Sequence, residues 1–191
     1  KKLSNFLLAS FLVTQAAIPL DNLINFGEAF RLFALDISPN LFYTFGLGYW
    51  LEAPLLLLYI RSLIYKDYKL HKKDILFFVP FLCYFIYFIF DWLLVDMNSK
   101  LISLQGDTIA QTDMWHRTIH IVRELFRAGF GIMCLVELHK YQKQIKLEVA
   151  DLESVDLTWL KMLVVGFLVI RINAIFVAVA IVFSYELGIN V

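Results

Sequence analysis

Apolar residues along this chain come in long blocks, and the polar residues gather mainly between them. A block of about 20 apolar residues matches a helix crossing a hydrocarbon core about 30 Å thick. No stretch shows the period-two alternation of a half-buried strand. The pattern predicts five spans, at about residues 3–24, 41–64, 75–95, 115–138 and 159–185. The expected fold class is therefore all-α, a polytopic transmembrane helix bundle, with residues 1–191 as a single domain. Pro19 falls toward the end of the first span and Pro80 in the first turns of the third, where neighbouring helices can satisfy the freed carbonyls. The fourth span is the least apolar. Between the blocks, QGDTIAQTD (105–113) reads as a loop, and IKLEVADL (145–152) as a short interfacial helix continuing the fourth span. Ser154 or Asp156 offers an N-cap to the fifth.

Composition agrees with the pattern. The chain is 60% hydrophobic and 18% charged, against about 45–50% and about 25% for soluble domains, which excludes an ordinary soluble domain. The formal net charge is zero, so no overall basic field points to nucleic acid. Cys83 and Cys134 both lie inside apolar runs and read as small core residues, with no thiol motif around them. The chain opens on Lys1-Lys2 without a methionine and without a readable signal peptide, which points to a piece of a longer protein.

Charge placement sets an orientation. Arg61, Lys66, Lys69, Lys72 and Lys73 follow the second span, Lys1 and Lys2 precede the first, and Lys140, Lys143 and Lys146 follow the fourth. These basic sites alternate with two acidic links. One, at 25–40, carries Glu28 and Asp36 against Arg31; the other, at 96–114, carries Asp96, Asp107 and Asp113 against Lys100. The positive-inside rule then places residue 1 in the cytoplasm and residue 191 outside.

Charges within spans are costly and mark candidate sites. By depth, Glu52, Arg127 and Arg171 fall near mid-membrane, with Gln15, Glu124 and Asn173 close to that level. Glu52 is the expected partner of Arg171 or Arg127. Two readings follow: an ion pair that fixes helix register, or a pocket for an anionic or polar ligand. The pocket would be lined by Glu52, Glu124, Arg127, Arg171, Asn173 and His120, with the arginines as bidentate donors. A second polar layer, Asp21, Asn22, Asp91, His116 and His120, lies nearer the outer face. His116, His120, Arg123, Arg127 and Gly131 share one helical stripe, expected to face the bundle interior or a water-filled cavity. His116, His120 and Asp91 are the only candidate metal ligands. The histidines lack the glutamate of an HExxH motif, and Arg117 and Arg123 would repel a cation, so neither metal nor cofactor is expected. Tyr43, Tyr49, Trp50, Trp92, Trp115 and Trp159 cluster at span ends and read as an interfacial aromatic belt. No Ser/His/Asp set, glycine-rich phosphate loop or Cys/His cluster is present, which argues against an enzyme.

Four motifs carry a family resemblance: Pro54 followed by LLLLYIRSL (55–63), DILFFVPFL (74–82), HKYQKQIK (139–146) and DLTWLK (156–161). In this order the chain resembles, over about residues 41–165, the multi-span N-terminal sensor domain of membrane-bound AraC-type bacterial transcriptional regulators. Ala53, with Glu52 ahead of it, stands where that family usually has a small residue, often glycine. The resemblance implies a seven-span domain in the bacterial inner membrane, in contact with lipid, of which these residues are the middle. It further implies a small ligand, a homodimer, and contact with DNA only through a helix-turn-helix domain absent from this chain. The expected function is to perceive a ligand or membrane signal and relay it to that cytoplasmic domain. The alternative is a small transporter or channel subunit with a mid-membrane Glu/Arg polar path.

Overall fold

The computed structural model describes residues 2–65, 67–105, 114–148 and 157–186, and all regular structure among them is helical. The helices are α1 (Lys2–Phe26), α2 (Glu28–Ile37), α3 (Gly48–Ile64), α4 (Val79–Phe88), α5 (Met97–Gln105), α6 (Met114–Glu148) and α7 (Thr158–Glu186). Short 3-10 turns precede α3 and α4, and a π-helical turn, Ile89–Leu93, follows α4. Four segments are long and apolar enough to cross a membrane: Lys2–Phe26, Pro39–Ile64, Lys72–Leu93 and Thr158–Ala180. The expected fourth span lies within α6, which is long enough but carries Arg117, Arg123, Glu124, Arg127 and Glu137 along the predicted stretch.

Two links are more ordered than their polarity implies. The link at 25–40 forms α2, and the link at 96–114 begins with α5. Ser38 explains one boundary: it is extended, and its hydroxyl accepts from the Asn40 amide just ahead of Pro39. Asp96 explains the other, accepting from the Ser99 amide at 2.9 Å and the Ser99 hydroxyl at 2.8 Å. As anticipated, α6 continues beyond its apolar part, to Glu148. The loop at 106–113, the last residues of the predicted interfacial helix (149–152) and both proposed N-caps, Ser154 and Asp156, lie outside the described residues.

The chain divides into two compact units, and the division falls inside α3. The first comprises Lys1–Leu55 and Leu70–Asp113. Its core cluster contains Ile24 of α1, Ala34 of α2, Phe42, Phe88, Trp92 and Leu104, all buried. Beside it, α1 and α3 approach closely. A Cβ on Gly48 would sit 3.2 Å from the Thr14 carbonyl oxygen and 3.2 Å from the Ala17 methyl. The second unit comprises Leu56–Lys69 and Met114–Val191. In it α6 and α7 pack as an antiparallel pair. Glu124, Arg127, Gly131, Cys134 and Leu138 form the buried stripe of α6, at alternating spacings of three and four residues. Leu160, Val164, Phe167 and Leu168 face it from α7.

Burial is uneven among the apolar segments. In Pro39–Ile64, 61% of the most apolar window is buried, against 17%, 11% and 17% in the other three. The second segment is therefore a core element, and the others turn most of their apolar surface outward, as at Phe6, Val13, Leu76 and Phe176.

Several expectations are corrected here. The α6 stripe is buried from Glu124 and Arg127 onward, while His116 and His120 nearer its start are exposed. Of the aromatics expected in a belt at the span ends, Trp115, Trp159 and Tyr43 are exposed. Tyr49, Trp50 and Trp92 are instead buried. The Tyr49 hydroxyl donates to Asn22, Trp50 stacks on Tyr84, and Trp92 meets Tyr43 edge-on at 4.8 Å. Cys134 is buried as expected, but Cys83 is exposed.

Candidate functional site

The polar layer between α6 and α7 is built around Glu124. Arg127, one turn on, donates from Nη1 to Oε1 at 2.8 Å. Arg123 donates from Nε to the same oxygen at 3.2 Å. From α7, Arg171 donates from Nη1 to Oε2 at 3.4 Å, and its guanidinium lies 5.4 Å from the centre of the Phe167 ring. Arg127 has no exposed surface and Glu124 retains 5%. Helical geometry brings Arg127 under Glu124, and the antiparallel register brings Arg171 across from it. The same register seats Gly131 against α7, where a Cβ would lie 2.6 Å from Leu168 Cδ2 and 2.9 Å from Leu168 Cγ. One carboxylate thus collects three guanidinium groups away from bulk solvent, which strengthens each charged hydrogen bond.

Glu124, Arg127 and Arg171, all expected site residues, are brought together. Asn173 and His120 are exposed, so neither lies in the buried layer. Glu52 is buried in the first unit, where it accepts a hydrogen bond from the Gln15 amide of α1. Glu124 is the carboxylate that receives both Arg127 and Arg171. Among the described residues no three His, Cys, Asp or Glu side chains are grouped as metal ligands would be.

A second ion pair, missed from sequence, lies at the far end of α3. Arg61 donates from Nη2 and Nε to Glu137 Oε1 at 2.7 and 3.1 Å. The Tyr65 hydroxyl donates to Oε2 of the same carboxylate at 3.0 Å. Burial, and then the Glu137 carboxylate it bonds, raise the Tyr65 phenol above its ordinary value. The available signal was opposite charge at matching depth, Arg61 ending one span and Glu137 the other. Arg61 had been read only as a member of the basic cluster.

Comparison with family models, curated proteins and solved structures found no match. The class defined by the fold is an all-helical chain with four membrane-length apolar helices and a buried Glu/Arg layer between its last two described helices.

Proposed function

We propose that this chain is a membrane-embedded sensory domain, with α6 as a fifth span, that relays a ligand or membrane signal to a cytoplasmic DNA-binding domain of the AraC type. The observation that carries the reading is the convergence of Arg123, Arg127 and Arg171 on Glu124. A layer of this kind has few good geometries, so sliding α7 along α6 exchanges one set of charged hydrogen bonds for another. An anionic or polar ligand competing with Glu124 for the guanidinium groups would shift that balance by its differential affinity for the two packings. The outward apolar faces support a lipid surround, since a protein in water rarely exposes so much contiguous apolar surface. The motif resemblance supplies the AraC-type output, the homodimer and the bacterial inner membrane, and the lysine-rich links supply the orientation, with residue 1 cytoplasmic and residue 191 outside.

The test uses the full-length gene in its own cell. Deleting it should change the transcript levels of a discrete gene set, and the wild-type copy should restore them. Arg171→Ala, inserted in the membrane at wild-type abundance, should fail to restore them. Transcripts that ignore the deletion overturn the reading. Ion or solute flux through proteoliposomes of the purified protein would instead favour the transporter alternative.

A further inference from the structure

Arg31 and Lys100, the single basic residues of the two acidic links, both end up inside the first unit, at the end where α1, α2 and α5 meet. Lys100 is 3% exposed. Its ammonium donates to Asn40 Oδ1 at 2.8 Å and to the Leu93 carbonyl at 3.2 Å, and it lies 5.9 Å from the centre of the Trp92 ring. The Arg31 guanidinium is occupied by backbone, donating to the Asn25 carbonyl at 2.8 Å and to the Leu104 carbonyl. Among the described residues neither cation has a carboxylate oxygen within ion-pair distance. A buried ammonium held only by neutral oxygens is costly, because they offset its lost hydration incompletely.

Three further features fall on the same cluster. Trp92 is 8% exposed, and its indole N–H has no acceptor among the described residues. The carbonyl oxygen of the Asn25 side chain, 5% exposed as a residue, likewise has no donor. Two backbone irregularities lie here too. Trp92 lies in the π-helical turn, a local insertion common at functional sites. Tyr43, packed edge-on against Trp92, is the one non-glycine residue with positive φ among the described residues, at 62°. Tyr43 is also 37% exposed, which puts the edge of this cluster at the surface.

We propose that this cluster binds a small organic carboxylate. One oxygen takes the remaining proton of the Lys100 ammonium and the other takes the Trp92 indole N–H. One charged donor and one neutral donor suit a singly charged carboxylate. A phosphate dianion would need the Arg31 fork, which is already spent on backbone. The inference is independent of the sensor reading, since it rests on the first unit alone.

The experiment follows the indole N–H resonance of Trp92 in the purified protein in detergent micelles, assigned with Trp92→Phe. Titration with phenylacetate should shift it saturably, whereas neutral phenylacetamide should leave it unmoved. Laurate in a parallel titration separates the sources: a shift with laurate alone marks a bilayer-borne fatty acid, and a shift with phenylacetate a water-borne acid. Trp92→Phe should weaken calorimetric binding by at least about tenfold, and Lys100→Met should abolish it. An unmoved resonance at millimolar concentrations of both acids overturns the proposal. So does an equal response to the amide, or a response to inorganic phosphate in place of the acids. If Lys100→Met fails to fold, the acid-against-amide comparison on the wild-type protein still decides.

Discussion

Glu124 ties three guanidinium groups together in the second unit. Replacing it with alanine leaves Arg127 buried without the carboxylate it bonds, and breaking a buried pair from one side costs about 3–5 kcal/mol. Glu124→Ala should therefore lower stability by about that amount in denaturant titration of the detergent-solubilised protein. A loss below about 1 kcal/mol would place the layer in water, where ion pairs contribute little. Asp96 makes a different prediction because it is fully exposed. The Ser99 amide, then the Ser99 hydroxyl, hold its carboxyl below the ordinary carboxylate value. A lowered folded-state pKa means a contribution fully present above the unfolded value and lost as pH falls through the folded one. The start of α5 should thus hold at neutral pH and loosen under acid, below about pH 4. Exchange of the Ser99 amide should report it, accelerating at low pH in the wild type and being already fast at neutral pH in Asp96→Ala.

The elements carry their own constraints. Along α6 and α7 the buried positions repeat at three and four residues, which keeps one narrow seam between the two helices. Gly131 sits on that seam because small residues let helix backbones approach where no hydrophobic drive exists between apolar partners. Gly131→Ala should cost about 1–3 kcal/mol by overpacking against Leu168, visible as a lowered midpoint in the same titration. Gly129→Ala is its control, since nothing lies within 4 Å of a Cβ there. At its 35 residues, α6 is about 52 Å long, about 20 Å more than a hydrocarbon core needs. On the five-span reading its polar end would project beyond the apolar layer, on the side where Glu137 meets Arg61. Glu137→Gln removes one of the causes that raise the Tyr65 phenol. The tyrosinate absorbance assigned to Tyr65 should then appear at lower pH than in the wild type, with Tyr65→Phe as the reference. An unchanged titration would show that burial alone sets it.

For the whole molecule, the five-span reading requires both lysine-rich connections on one side of the membrane. Cysteines placed at Lys69 and Lys143 should react with a membrane-impermeant maleimide only after cells are opened, and one at Ser99 in intact cells. Labelling of positions 69 or 143 in intact cells, with 99 silent, would invert the map and remove the regulator reading with it. Arg31 and Lys100 refine this picture. They are the only cations of the links assigned to the outside, and both are folded into the first unit. On the five-span reading, these links would therefore show less positive charge outside than their composition states.

Sequence alone determined the helical class and most of the boundaries of the apolar segments, and it assigned the buried charges an expected depth. These follow from block length, from the rise per residue and from the cost of a charge in hydrocarbon, all of which are local or one-dimensional. It also named Glu124, Arg127 and Arg171 as candidates. Tertiary structure decided which of them meet. Depth places a residue along the membrane normal but leaves its direction around the helix open, and direction separates buried Arg127 from exposed His120 and Asn173. The same reason hid the carboxylate cluster: Lys100 and Trp92 are a lone link lysine and a span-end tryptophan until packing against Phe42 and Asn40 takes both out of solvent. A chain pattern can predict that a polar group is buried; only the arrangement of its neighbours decides what that group can hold.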